Sequence, residues 1–297
     1  MKNLQAGILI LLVGISTITL GQKSTSTKSS STQSFSTAAP TAQHKIALEV
    51  LEASKAWIAN FNKGNAAACV NGYTKNALMN AQPFGIKKGK KEIAGFWAPF
   101  IKSGATNLIY SKVRIEVANK TTAFLSANWS MNVGRGIIYQ EKWVKKEGKW
   151  LLSYDNFEVL EKFKTPQENT SNPIASHIVL EEVIQASMKW IQGFNKGKGA
   201  FCGNGYSEKA TMNAVPFALL NTKKDIQGFW TKLISDGANN LIYNNPIFTA
   251  QTANTATLAA RWSMNIGEGK IYQEKWEKIN GEWLLTYDEF QVLKQYK

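Results

Sequence analysis

Two segments of the chain carry an acid flanked by aromatic residues: SMNVGRGIIYQEKW at 130–143 and SMNIGEGKIYQEKW at 263–276. Alternate residues of an extended chain share a face, so Tyr139, Glu141 and Trp143 are expected on one side of a strand, as are Tyr272, Glu274 and Trp276. That pattern sets a carboxylate on an apolar surface. A desolvated carboxylate is costly unless it is hydrogen-bonded or accepts a proton, and burial raises its pKa. Such a group can act as a general acid or base, or donate a hydrogen bond when protonated. Two arrangements fit: a pocket glutamate that touches a ligand, or a glutamate that pairs with a lysine at the mouth or sheet edge or satisfies a neighbouring tyrosine.

Other polar and aromatic residues recur beside these acids. Tyr73 and Tyr206 are expected to end a helix, with a hydroxyl turned into the mouth of a pocket or satisfied within the packing. Asn80 and Asn213 interrupt short apolar strands, where a buried amide must meet a ligand or a free backbone carbonyl. Trp129, Trp143, Trp262 and Trp276 supply pocket wall or core and interdomain packing. With Glu141 and Glu274 these form the candidate ligand-binding set, and no catalytic residue is assigned. Asp155 and Asp288 follow a tyrosine near the end of a strand and are expected at a turn or edge, with exposure to the pocket as the alternative. His44 and His177, the only two histidines, are expected at a terminus ahead of a helix, which leaves no histidine base or His-based metal site. No metal or cofactor is expected, since phosphate-loop and nucleophile-elbow motifs are also missing. Cys69 and Cys202 occupy equivalent helix positions and are expected as buried free thiols.

These recurrences follow one rule. Aligning Trp57 with Trp190 gives an offset of 190 − 57 = 133, which also carries Tyr73 onto Tyr206, Trp97 onto Trp230, Trp129 onto Trp262 and Asp155 onto Asp288 without a gap. The chain is a tandem duplication of domain-sized units, expected at 44–163 and 177–297 with a linker at 164–176 around TPQENTSNP. The copies differ at Gly85/Ala218, Lys87/Leu220, Lys88/Asn221, Asn128/Arg261 and Arg135/Glu268, so their mouths differ in charge.

The 297 residues are 44% hydrophobic and 11% aromatic, enough for two packed cores. Their formal charge is +14, but the lysines are scattered apart from Lys87, Lys88, Lys90 and Lys91. An arginine-rich groove that could track phosphates is lacking, so nucleic acid is not an expected partner. The first residues, MKNLQAGILILLVGISTITLGQ, place Lys2 before an apolar run from Ala6 to Leu20, which fits a signal peptide over 1–21, with an uncleaved anchor as the alternative. A Ser/Thr-rich tether over 22–43 follows, and no cysteine marks a lipoprotein site. The expected location is periplasmic or secreted, with membrane contact only through the signal segment.

Within the first copy, Val50, Ser54, Trp57, Ile58 and Phe61 lie at helical spacing and Gly64 ends that helix. A second helix is expected from about Asn65 to Tyr73, then a short strand through ALMNA and a helix through KEIAGFWAPFIK, which Pro99 can kink. Four strands follow as a meander, NLIYSKVRIEV, TAFLSANWSM, IIYQEKWVKKE and KWLLSYDNFEV. Helices first and strands last mean α+β.

The Trp-x-x-x-Phe-Asn-Lys-Gly helix end, the Pro-Phe-Gly turn, the Ile-x-x-Phe-Trp helix and the terminal strand pair resemble the nuclear transport factor 2-like superfamily, in its SnoaL-like bacterial branch. The resemblance implies two cone-shaped curved antiparallel sheets wrapped on helices (the cystatin-like fold), each with a pocket in its mouth. Members commonly pair through the outer faces of their sheets, so the two copies are expected to pack as an intramolecular pseudo-dimer. The ketosteroid isomerases of that family place a base aspartate before the proline of the turn, where this chain has Gln82 and Val215. Their helix tyrosine falls near Trp57 and Trp190 and their second acid near Glu141 and Glu274, so steroid isomerisation is not expected. The expected function is binding of a small, largely apolar organic ligand in one or both cones. An isomerase-, cyclase- or dehydratase-like enzyme using a pocket glutamate and a non-catalytic protein or glycan interaction module are the alternatives.

Overall fold

A computed structural model describes residues 39–296; the expected signal peptide and most of the tether lie outside the described residues. The first repeat runs α1 (Ala42–Asn62), α2 (Ala66–Asn71), β1 (Tyr73–Gln82), β2 (Gly85–Lys88), α3 (Gly89–Lys102), β3 (Ile109–Asn119), β4 (Thr122–Met131), β5 (Gly134–Lys146) and β6 (Lys149–Lys162). The second repeats that order with α4 (Ala175–Asn195), α5 (Gly199–Asn204), β7 (Tyr206–Val215), β8 (Ala218–Leu220), α6 (Lys223–Ser235), β9 (Ile242–Thr252), β10 (Thr255–Met264), β11 (Gly267–Ile279) and β12 (Glu282–Gln295). Helix α1 thus starts at Ala42, inside the segment read as tether.

Helix α1 buries Val50, Ser54, Trp57, Ile58 and Phe61 along one stripe, and Gly64 leaves the helix in the left-handed region at φ +73°. Asn65 caps α2 by accepting from the Ala68 N–H at 3.0 Å. Tyr73 does not end this helix; it opens β1, where it pairs with Leu152 of β6. The reason is packing. A Cβ on Gly72 would stand 2.9 Å from the Trp57 ring, so the glycine lets the chain turn tightly under that indole and enter the sheet. Tyr206 opens β7 in the same way after Gly205.

The strands make one curved, mixed sheet of 12 in the order β2-β1-β6-β5-β4-β3-β9-β10-β11-β12-β7-β8. It departs from an all-antiparallel sheet because β1 runs parallel to β6 and β7 parallel to β12. The repeats also join differently from the face-to-face packing that the resemblance implied. They pair edge to edge, with Arg114, Ile115 and Glu116 of β3 opposite Thr249, Phe248 and Ile247 of β9. Each repeat's long helix also reaches the other repeat, α1 touching β9 and α4 touching β3.

The histidines sit at this seam, not at a loose terminus. His44 in the first turn of α1 is fully buried, with Nε2 3.0 Å from Ser187 Oγ of α4. His177 of α4 makes the reciprocal bond to Ser54 Oγ of α1, also at 3.0 Å. Their rings pack on aromatics of the opposite repeat, His44 on Tyr243 and Phe248 and His177 on Tyr110. Burial pulls both imidazoles down to about 3, so they are neutral at ordinary pH. An ion pair between Lys55 and Glu181 at 2.7 Å flanks the seam; the pseudo-symmetric positions hold Met188 and Leu48.

Candidate functional site

Strand β4 turns Ala123, Leu125, Ala127, Trp129 and Met131 inward, as its alternation requires. Strand β5 does not keep strict alternation. Its pairing with β6 shifts between Ile138 and Gln140, and a bulge of this kind gives one strand an extra residue and re-aims the side chains beyond it. Ile138 and Glu141 therefore both point inward, while Tyr139 is exposed and donates to Glu158 on the outside. The shared face expected for Tyr139, Glu141 and Trp143 holds only for the last two. Tyr272 is likewise exposed and donates to Gln291.

Glu141 is 3% exposed and Asp155, its direct cross-strand partner, 4%. Trp143 Nε1 donates to Glu141 Oε2 at 2.8 Å and the Tyr110 hydroxyl donates to Oε1 at 2.9 Å. The Tyr73 hydroxyl donates to Asp155 Oδ2 at 2.6 Å and accepts from Trp97 Nε1 at 3.2 Å. Burial pushes the Glu141 carboxyl up to about 8, with the neighbouring Asp155 charge adding to it. Burial lifts Asp155 to about 6 against the opposing Tyr73 bond. An indole N–H can only donate, so Trp143 fixes Oε2 as an acceptor. Burial favours the neutral form of Glu141, whose Oε1 accepts from Tyr110 and whose Oε2 accepts from Trp143. Desolvation, then the nearby carboxylates, hold the Tyr73 and Tyr110 hydroxyls well above their ordinary pKa, so both stay protonated.

This cluster forms the floor of a cavity of about 410 Å³ in the first repeat. Tyr73, Tyr110, Glu141 and Asp155 line it together with a wall of Trp57, Trp97, Trp129, Met131, Ile138 and Phe157, and Phe84 and Lys162 stand at its rim. Tyr73, Trp129 and Glu141 of the expected set therefore meet in one place. Trp143 supports Glu141 and does not line the cavity. Asn80 is on the opposite face of β1 from Met79 and donates to Asn156 there, away from the cavity; Asn213 has the equivalent outer position and bonds Glu289. The indole N–H of Trp129 is buried without a protein partner, as is that of Trp262.

Asp155 lines the cavity, the alternative to the turn or edge position that the sequence pattern put first. Its pairing opposite Glu141 depends on the bulge, which no periodic template contains. Tyr110 was missed; its one signal was that the same offset repeats it as Tyr243.

The second repeat rebuilds the floor. The Tyr243 hydroxyl donates to Glu274 at 2.7 Å, Trp276 Nε1 to Glu274 at 2.9 Å, Tyr206 to Asp288 at 2.6 Å and Trp230 Nε1 to Tyr206 at 3.1 Å. Burial first, then the charge of Asp288, pushes Glu274 up to about 8, and burial lifts Asp288 to about 7. The positions equivalent to the wall keep their character, including Trp190, Trp230, Trp262, Met264 and Phe290, but Lys162 at the rim becomes Gln295 and Phe163 becomes Tyr296. Trp276 also borders a separate cavity of about 670 Å³ beside Phe201 and Trp283. Cys69 and Cys202 are buried free thiols, each beneath the tryptophan of its own repeat, with Trp57 and Trp190 donating to their carbonyls at 3.1 Å. Among the described residues, no group of three or more His, Cys, Asp or Glu side chains comes together as a metal site.

No family model matches the chain, and no curated protein matches it. Solved structures do. A protein of unknown function with a cystatin-like fold from Nostoc punctiforme is 19% identical over 38% of this chain and 89% of its own, with a TM-score of 0.34. An NTF2-like protein with a cystatin-like fold from Novosphingobium aromaticivorans is 14% identical over 42% of this chain and 93% of its own, TM-score 0.35. An NTF-2 like protein of unknown function from Shewanella oneidensis is 15% identical over 37% of this chain and 97% of its own, TM-score 0.32.

Proposed function

We propose that the protein is exported and that its first repeat binds a small, largely apolar organic molecule with one polar end. The observation that supports this is the aromatic-walled cavity of about 410 Å³ with a polar floor and Lys162 at its rim. A ligand hydroxyl or carbonyl would meet Tyr110, Asp155 or Tyr73 there, while its body replaces water against the tryptophans and Phe157. At neutral pH the protonated Glu141 lets the floor hold a neutral ligand without a full carboxylate pair below it.

Titration calorimetry with a panel of naphthols and medium-chain fatty alcohols tests the reading. Single-site binding should weaken at least about tenfold when Met131→Trp fills the cavity and should survive Met264→Trp in the other repeat. Equal binding by wild type and Met131→Trp, or none by wild type, would sink it.

A second reading, acid–base catalysis, is favoured by one feature: two cross-strand carboxyls, both raised, at the bottom of one cavity. In that reading Asp155 takes a proton from the bound molecule, and Glu141, through the Tyr110 hydroxyl, gives one to a developing oxyanion. Asp155→Asn would then abolish turnover of a bound ligand and leave its affinity nearly unchanged.

A further inference from the structure

Three exposed apolar side chains lie at the β1–β2 end of the sheet where the first cavity opens, Phe84 lining the cavity and Ile86, opposite Asn80, and Leu160, two residues beyond Glu158, on the outer face. Phe84, in the turn between β1 and β2, is 43% exposed, Ile86 on β2 54% and Leu160 on β6 63%. They are neighbours: Gln82 pairs in parallel with Glu158 just before Phe84 and Leu160, and Lys162 Nζ lies 4.7 Å from the centre of the Phe84 ring. Exposed large apolar groups gathered at one place mark an interaction site. The charge around them selects the kind. Lys87, whose Nζ holds the Phe84 carbonyl at 2.8 Å, leads into Lys88, Lys90 and Lys91 at the edge strand and the start of α3. Nearby acids are engaged, Glu158 by Tyr139, Glu161 by Arg135 at 2.7 Å and Glu92 by the Lys88 backbone N–H at 2.7 Å. The second repeat keeps the apolar tips as Phe217, Leu219 and Leu293 and the pair Lys90 and Lys91 as Lys223 and Lys224, and has Lys294 in place of Glu161, but holds Leu220, Asn221, Glu268 and Gln295 where the first has Lys87, Lys88, Arg135 and Lys162.

We propose that the rim of the first repeat docks on an anionic phospholipid membrane, with Phe84, Ile86 and Leu160 entering the headgroup boundary and the surrounding lysines holding the lipid charge. Apolar tips beside lysines are the combination that binds an anionic bilayer surface, where each added cation strengthens attachment. No helix among the described residues is long and apolar enough to cross a membrane, so the contact is superficial. It puts membrane contact on the folded body, beyond the N-terminal apolar run. The proposal rests on the cavity reading in one respect: a cavity opening at the lipid boundary would take its ligand from the bilayer.

The test uses the full chain with an environment-sensitive nitrobenzoxadiazole label on Ile86→Cys or, separately, on Leu219→Cys. The two native thiols are buried, so labelling is selective for the introduced one. A local label reports insertion at its own position whatever the N-terminal segment does. With vesicles of phosphatidylglycerol and phosphatidylcholine, the label at 86 should gain emission about twofold or more and shift to the blue, and the label at 219 should respond much less. Replacing Lys87, Lys88, Lys90 and Lys91 together by Gln should remove the response at 86. A label at 86 that stays water-like, that responds equally to pure phosphatidylcholine, or that matches the one at 219 overturns the proposal. So does an equal response to soluble polyphosphate, which would point to a dissolved polyanion. Titrating naphthols into the four-lysine variant without vesicles separates the two readings, since unchanged binding there leaves the cavity intact when docking fails.

Discussion

The floors of the two cones and their rims have diverged to different degrees. Tyr73, Tyr110, Glu141, Trp143 and Asp155 recur unchanged as Tyr206, Tyr243, Glu274, Trp276 and Asp288, with each hydrogen bond within about 0.2 Å of its counterpart. The rims have changed charge and size at Lys87, Lys88, Arg135 and Lys162. A buried polar cluster is satisfied as a whole or costly as a whole, so single changes within it are penalised. A solvated rim carries no such coupling. The comparison separates what the repeats share from what distinguishes them: the floors keep one buried hydrogen-bonded network, and the rims carry the differences in charge and size.

The comparison can be broken at the floor first. Glu141→Ala leaves the Trp143 N–H and Tyr110 O–H without their acceptor and should cost about 4 kcal/mol, with Glu274→Ala costing nearly the same in denaturant unfolding. A gap of several kcal/mol between the two variants would show that the floors are not equivalent. Glu141→Gln, which resembles the protonated acid, should cost far less.

Acidification probes the seam. The histidines are held down to about 3 in the folded protein against about 6.5 unfolded, so their contribution is present above the unfolded value and is lost as pH falls toward the folded one. The slope is at most about 1.4 kcal/mol per pH unit for each histidine. The raised Glu141 and Glu274 act in the opposite sense, their contribution being full below the unfolded carboxyl pKa and lost as pH climbs toward about 8. Thermal unfolding across pH 4–8 should lose its acid limb in the His44→Gln/His177→Gln variant and keep its alkaline one.

Glycines of β5 and β11 offer a third contrast. A Cβ at Gly136 would approach the Glu158 carbonyl to 1.9 Å and the Trp129 ring to 2.6 Å, and at Gly269 the Gln291 carbonyl to 2.0 Å. Either Ala substitution should cost about 2 kcal/mol, but only Gly136→Ala should also weaken naphthol binding, because Trp129 must move. The smallest effect belongs to the seam's ion pair. Lys55→Met should cost about 1 kcal/mol by stranding Glu181, and adding Glu181→Leu should restore it, since a matched apolar pair often equals a part-buried ionic one.

Much of this was legible beforehand because it is periodic. The stripe on α1, the alternation of β4 and the constant offset between repeats follow from spacing alone. What was not legible depends on departures from periodicity or on contacts across long separations. The bulge at Tyr139 sent that ring outward and brought Asp155 opposite Glu141. Gly72 converted an expected helix end at Tyr73 into a strand start because Trp57 overlies it. His44 looked terminal because its partner, Ser187, lies in the other repeat, and no local pattern announces that bond.

The join between β3 and β9 has a consequence in mass action. Two copies meeting as separate chains would part on dilution, each exposing a strand edge and a pair of buried histidine and serine side chains. Here a connection of a dozen or so residues between β6 and α4 turns their meeting into an intramolecular event whose effective concentration the linker sets. The assembled state should therefore be independent of protein concentration, holding at dilutions where separate copies would part.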